Sequence, residues 1–297
     1  MVVKKSLGET FFDSFNYILM IFLGLVFIYP LYYVFCASIS DASRMFGHEG
    51  LIFAPLGFST ASYQLLFRDP QIVRSLINTV LYVIFGTAIS LLMTTFAAYA
   101  LSRKKYRFKK AFLLMIVIPM FFSGGLIPFY LVVKKLLLLA DTPLAILLPT
   151  AVNSFYIFIM LTYFKTLPDS LEESAYMDGA NDFTILFKII IPVSLPVIAV
   201  MVIYYAVGQW NSWFNASIFL IHKRLELQPL QLVLKDILVQ STTFLTTGNV
   251  MSNLEFEKYK RLIKFALIMV TIAPIIVVYP FMQKHFIQGV MIGSIKE

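Results

Sequence analysis

The sequence predicts an all-α protein that crosses a membrane six times, and three observations carry that reading. Of the 297 residues, 59% are hydrophobic and 13% charged, against a charged share of about a quarter in soluble domains. Mean hydropathy is +0.82. The apolar residues gather into six runs that reach or approach the ~20 residues a helix needs to cross a hydrocarbon core. Segments richer in polar and charged residues separate them.

The runs are 17–37, 76–101, 111–133, 144–164, 189–208 and 263–281. Lys4 and Lys5 precede the first, which is longer than the roughly 7 to 15 apolar residues of a signal peptide, so it reads as an uncleaved span. A polar segment, 39–75, leads to the second run, which ends at a stretch, 102–110, holding six lysines and arginines. The third run is interrupted by Pro119, Ser123, Gly124, Gly125 and Pro128. A regular helix there would lose backbone bonds and meet the glycine penalty twice. Such a break is tolerated at membrane depth where it is buried in protein or lines a wet cavity. It reads either as the lining of a passage or as close packing of small residues between helices.

Asn153 and Ser154 lie near the middle of the fourth run, placed to hydrogen-bond a hydroxylated ligand or to bridge helices. Tyr204, Tyr205, Trp210, Asn211 and Trp213 cluster at the outer end of the fifth. An aromatic belt is expected at that depth, and rings beside amides also suit a sugar. After the sixth run comes a tail, 283–297. No internal repeat divides the chain, which reads as one domain, 1–297.

A net charge of +8 could point to nucleic acid, but the cationic density sits in 102–110 between two apolar runs. It reads instead as a cytoplasmic loop obeying the positive-inside rule and facing anionic lipid. Six spans put both termini on one side. Basic residues assigned to that side (Lys4, Lys5, the six of the cluster, Lys165, Lys188, Lys284 and Lys296) are twelve of the 24, so the total alone decides nothing. The density of 103–110 next to a span end decides for cytoplasmic termini. The segments 39–75 and 209–262 then lie outside, polar enough to meet a soluble partner.

Several function classes lack their chemistry here. No ionisable residue falls well inside a run, Lys264 standing only at the edge of the last, whereas ion-coupled carriers and intramembrane enzymes need such groups at depth. No G-x-x-x-x-G-K-[ST] loop exists to cradle ATP phosphates. His48, His222 and His285 have no partner at metal-ligand spacing. Cys36 is the only cysteine, which excludes an intrachain disulfide. Any energy source must come from another subunit.

The polar insertion 165–188 reads as a helical hairpin. Ser170 and Glu173 have the spacing of a capping box. Glu172 and Glu173 fall in the first turn, where the helix dipole favours anions. Asp178-Gly179 ends the helix, since glycine accepts the left-handed conformation of a cap. Phe183, Leu186, Phe187 and Ile190 then fit one apolar helical face, and Pro192 marks entry to the fifth run. By itself this is an amphipathic hairpin lying on a membrane.

With Glu173-Ser174-Ala175, two variable residues and Asp178-Gly179-Ala180, followed by Phe187, Ile190, Pro192 and Pro196, the hairpin resembles the cytoplasmic "EAA" loop of permease subunits in binding-protein-dependent ABC importers. The one departure is Ser174, where the pattern has alanine. The run 121–128 and the tail 283–294 extend the likeness, which is strongest to the carbohydrate importers, specifically the smaller permease of the maltose type and its oligosaccharide- and polysaccharide-handling relatives. The resemblance implies the type I importer (MetI-like) permease fold in a bacterial cytoplasmic membrane. It also implies a second, homologous permease, two ATPase subunits that hold ATP and magnesium, and an extracytoplasmic solute-binding protein. No cofactor is expected in this chain. ATPase coupling would fall to Glu172, Glu173, Ser174, Ala175, Asp178, Gly179 and Ala180, with Gly289 and Gly293 of the tail at the ATPase interface. The segment 240–251 would probe the binding protein's sugar cleft. Candidates for the passage are Ser123, Gly124, Gly125, Asn153, Tyr204, Tyr205, Trp210 and Asn211. The competing class is a polytopic enzyme or receptor whose hairpin binds something else, and the lack of buried proton carriers counts against catalysis.

Overall fold

The structure, a computed structural model, describes residues 6–103, 108–220, 224–239 and 261–280. These are helical apart from connections and one bridge between Ser40 and Phe58. In chain order the helices are α1 (Leu7–Ser38), α2 (Ala42–Phe46), α3 (Ala61–Arg68), α4 (Pro70–Ser102), α5 (Lys109–Phe121), α6 (Leu126–Leu131), α7 (Leu144–Leu147), α8 (Ser154–Phe164), α9 (Ser170–Met177), α10 (Asp182–Ile185), α11 (Ile191–Val193), α12 (Leu195–Trp210), α13 (Phe214–Phe219), α14 (Leu230–Val239) and α15 (Arg261–Pro280). Wider π turns continue α6 through Val132–Leu136 and join α10 to α11 through Leu186–Ile190.

Three helices, α1, α4 and α15, are long and apolar enough to cross a membrane unbroken. The other three expected spans are bent pairs. Lys109–Phe121 and Leu126–Leu136 meet at 119°, Leu144–Thr150 and Ser154–Phe164 at 49°, and Asp182–Val193 and Leu195–Trp210 at 87°. The third run is therefore no single rod, because the chain folds back at Phe122–Gly125. The fifth run is corrected as well. Residues 189–193 belong to the hairpin's second arm, and the corner lies at Ser194 rather than at Pro192. Pro196, in the first turn of α12, has no N–H to bond back to the carbonyl of Pro192, which weakens helical continuity at this corner.

The chain forms two compact units. In the first, the end of α1 packs Cys36 and Ala37 against Ala42, Met45, Ile52 and Leu262. Helix α1 starts well before its apolar run because Ser6 and Glu9 form a reciprocal capping box, with bonds of 3.2 and 2.7 Å. Asp41 caps α2 through the N–H groups of Ser43 and Arg44.

In the second unit α4 is the central element, packed against both α12 and α8. Its buried face includes Ser75, Thr79, Gly86, Ser90, Thr94 and Ala98, small or hydroxylated residues that let a neighbouring backbone come close. The segment 225–230 is stitched to the first half of α4. Tyr82 Oη donates to the Leu227 carbonyl at 2.8 Å, Asn78 Nδ2 to that of Glu226 at 2.7 Å, and the Leu230 N–H donates to Thr79 Oγ1 at 2.8 Å. The main apolar core joins Ala98, Tyr99 and Leu101 of α4 to Met160, Leu161 and Phe164 of α8, Ala175, Ile185, Leu186 and Ile190 of the hairpin, and Met201 and Tyr205 of α12.

Candidate functional site

The hairpin is built as its sequence demands at one end and differently at the other. Helix α9 ends in a full Schellman motif. Gly179 takes φ +78°, the Ala180 N–H donates to the Ala175 carbonyl at 2.9 Å, and the Gly179 N–H donates to that of Tyr176 at 3.0 Å. The expected capping box of Ser170 and Glu173 does not form. Asp169 already has helical angles, and its carbonyl accepts from the Glu173 N–H at 3.1 Å, so the helix starts one residue early. Ser170 thereby becomes the first helical residue, and the box geometry is lost.

Glu172 and Glu173 point apart, as adjacent helical residues must. Glu172 is buried and forms an ion pair with Arg103, whereas Glu173 is exposed. Ala175 shares the inward face. The outward face carries Glu173, Ser174, Met177 and Asp178, with Met177 88% exposed. Gly179 is open, since an added Cβ would meet nothing within 4 Å. Ala180 is half-buried against the core.

The second arm starts at Asn181, whose side chain caps Thr184 N at 2.8 Å. Its expected single apolar face is split. Leu186 and Ile190 are buried with Ile185, but Phe183 and Phe187 are exposed and touch Phe96 edge-on at 6.4 and 6.1 Å. The π turn at Leu186–Ile190 adds a residue per turn and shifts the register. Tyr176 Oη donates to Asp182 Oδ1 and ties the arms together. That carboxylate, helped by burial, holds the Tyr176 phenol above its ordinary 10.0. The bond's contribution is complete below pH 10 and is lost only as pH rises through the raised value.

The broken third run forms a second feature. Gly125 takes φ +81° at the start of α6, and its N–H donates to Ser123 Oγ at 3.3 Å. Around the break lies an open concavity of about 550 Å³ whose walls include Pro119, Phe122, Ser123, Gly124, Gly125 and Phe129. Asn153, Tyr204, Tyr205, Trp210 and Asn211 do not line it. Asn153 caps α8, accepting from Tyr156 N at 3.2 Å. Tyr204 stacks on Tyr156 at 5.4 Å, and Tyr205 meets the same ring edge-on at 4.9 Å. Tyr205 Oη and Thr94 Oγ1 lie 2.5 Å apart. Tyr205 and Trp210 are buried within the protein rather than forming a belt at its surface, while Asn211 is exposed. Gly289, Gly293 and the segment 240–251 lie outside the described residues.

Three residues escaped sequence reasoning. Arg103 read as one charge among six, although its place directly after an apolar run was a signal. Gln209 falls at the start of the expected outer segment 209–262, yet it is buried with Nε2 donating to Thr150 Oγ1 at 2.9 Å. Gly86 carried no sequence signal. The added Cβ there would come within 2.7 Å of Gln209 Cδ.

Comparison with known proteins agrees with this architecture. The chain is 36% identical over 285 residues to the polygalacturonan/rhamnogalacturonan transport system permease protein YtcP of Bacillus subtilis, covering 96% of this chain and 98% of that protein. It is also 36% identical over 285 residues to the protein LplC of the same organism, covering 96% and 95%. A solved chain from a bacterial ABC transporter involved in the import of the acidic polysaccharide alginate superposes with a TM-score of 0.86 at 33% identity, covering 95% of this chain and 99% of that one. Residues 55–292 match a family as well. The chain belongs to the binding-protein-dependent transport system inner membrane components, the permease subunits of ABC importers.

Proposed function

We propose that the chain forms half of the translocation pathway of an ATP-driven importer for an oligosaccharide or polysaccharide, pairing with a second, homologous permease above two ATPase subunits. Family membership makes it a membrane component without an ATPase site of its own, working with a solute-binding protein and an ATPase. Carbohydrate as cargo is supported by the names of the relatives, a polygalacturonan/rhamnogalacturonan permease and an importer of the acidic polysaccharide alginate among them. Coupling runs through the hairpin 165–188. The observation that carries this reading is the division of α9 into an inner face seated in the core and an outer face of Glu173, Ser174, Met177 and Asp178, continued by Gly179, left open for a partner. The test is uptake of labelled oligogalacturonates and neutral oligosaccharides into vesicles holding the complete complex. ATP- and binding-protein-dependent uptake of one class is expected, and uptake of neither overturns the carbohydrate reading.

In this arrangement both termini face the cytoplasm. In a Cys36→Ser background, Lys110→Cys is expected to resist an impermeant thiol reagent applied to intact cells, while Glu49→Cys, exposed in the first unit, is labelled. The reverse pattern overturns the orientation.

The concavity at the broken third run is proposed as part of the passage. An added Cβ at Gly124 meets nothing within 4 Å, so Gly124→Leu places bulk in open space. Most uptake is expected to vanish while assembly and basal ATP hydrolysis persist. Gly125→Leu adds about 1–3 kcal/mol of strain at its positive φ and is expected to assemble less well. Normal uptake by Gly124→Leu removes the concavity from the pathway.

A further inference from the structure

We infer that Arg103 is a positioning residue for energy coupling: its ion pair with Glu172 fastens the hairpin to the end of α4, so that a load on α9 reaches the α4 and α12 pair. The inference rests on the coupling role proposed for the hairpin.

Arg103 follows the last residue of α4 and is held on that side by three contacts. Its Nε donates to Ser102 Oγ at 2.9 Å and to the Tyr99 carbonyl at 3.4 Å, and its guanidinium lies 4.6 Å from the centre of the Tyr99 ring. On the hairpin side it pairs with Glu172, the two side chains being 19% and 12% exposed. Asp169, just before α9, and Asp182, at the start of α10, also act on this cation electrostatically. One guanidinium thus faces carboxylates from both arms, which the Tyr176 to Asp182 bond already joins.

Apolar burial of Ala175, Ile185 and Leu186 seats the hairpin without help from the charges. A mostly buried ion pair adds little net stability over an apolar pair of the same shape, because desolvation offsets attraction, although removing one partner alone strands the other charge. Its role is therefore orientation. Arginine suits that role through its planar fork and its stacking on Tyr99, neither of which lysine supplies. This separates the inference from the positive-inside rule, under which the two cations are equivalent.

The test uses the complete complex with its ATPase and binding protein, carrying Arg103→Gln, Arg103→Lys, Glu172→Gln or the exchange Arg103→Glu with Glu172→Arg. Arg103→Gln is expected to assemble and keep basal ATP hydrolysis, and both glutamine variants are expected to lose about tenfold in stimulation by loaded binding protein. Arg103→Lys should fall between, and the exchange should recover part of the loss. Spin labels at Asp178→Cys on the hairpin and Ala100→Cys at the exposed end of α4, in a Cys36→Ser background, report the fastening without any ATPase. Their distance distribution should be narrow in the parent and broad in Arg103→Gln. A narrow distribution in Arg103→Gln overturns the fastening. Normal stimulation in Arg103→Lys and both glutamine variants overturns its role in coupling, and if Arg103→Gln does not assemble, normal stimulation in Arg103→Lys alone does so. Normal stimulation in both Gly179→Val and Glu173→Ala, by contrast, removes the docking role of the hairpin and leaves the label distances to judge the fastening.

Discussion

Gly179→Val is expected to abolish binding-protein-stimulated ATP hydrolysis and sugar uptake in the reconstituted importer while the permease still inserts. Gly179 sits at φ +78°, where a β-branched residue is strained by about 1–3 kcal/mol. The nearest relief is to release the Schellman bonds from Ala180 to Ala175 and from Gly179 to Tyr176, which frays the last turn of α9. Nothing within 4 Å of an added Cβ in this chain opposes the side chain, so its bulk falls on whatever docks there. At about 1.4 kcal/mol per tenfold, strain alone lowers the docked population by roughly one to two orders of magnitude. Gly179→Asn separates the two causes, since asparagine tolerates the left-handed region but keeps the bulk. Glu173→Ala removes an exposed carboxylate without touching the cap and is expected to reduce stimulation with the fold unchanged. Wild-type coupling in both Gly179→Val and Glu173→Ala would sink the docking role of this face.

Those residues were readable because they obey local rules. A glycine after a short amphipathic segment ends a helix whatever surrounds it, and Asp178-Gly179 did so. The apolar runs were legible for the same reason, as hydropathy over ~20 residues needs no tertiary knowledge. Direction was not legible. Glu172 and Glu173 are chemically identical neighbours, and which of them faces inward depends on what the hairpin packs against, the core around Ala175 and Arg103, both contributed by segments far off in sequence. Ser170 failed as a cap because the backbone is already helical at Asp169, one residue earlier, a margin at which local signals do not discriminate. The glycines and prolines of the third run announced a break, but not a turn of 119°, which depends on what the second segment packs against. Tyr205 and Trp210 resembled a belt because ring chemistry is the same in both settings. Their burial follows from the approach of α4 and α12, which rests on small residues such as Gly86.

Replacing that glycine is expected to have the largest effect on assembly. An added Cβ at Gly86 would lie 2.7, 2.8 and 3.0 Å from Cδ, Nε2 and Cγ of Gln209, distances that Cβ atoms do not sustain. Alanine improves helix propensity by about 1 kcal/mol, so Gly86→Ala sets that gain against moving one amide. Leucine cannot be accommodated that way. Gln209 is 5% exposed and bonded to Thr150. Gly86→Leu must expel it or part the helices, costing about 1–3 kcal/mol for overpacking and a further 1–3 kcal/mol for the stranded amide. The purified complex should lose several degrees in melting temperature, with lower yield. Gln209→Ala in the same chain removes the clashing group, while Thr150 Oγ1 keeps its bond to the Leu147 carbonyl at 3.1 Å. The double variant is therefore expected to recover much of the loss that Gly86→Leu causes alone. A double variant no more stable than Gly86→Leu would mean that the contact between Gly86 and Gln209 does not set the spacing of α4 and α12.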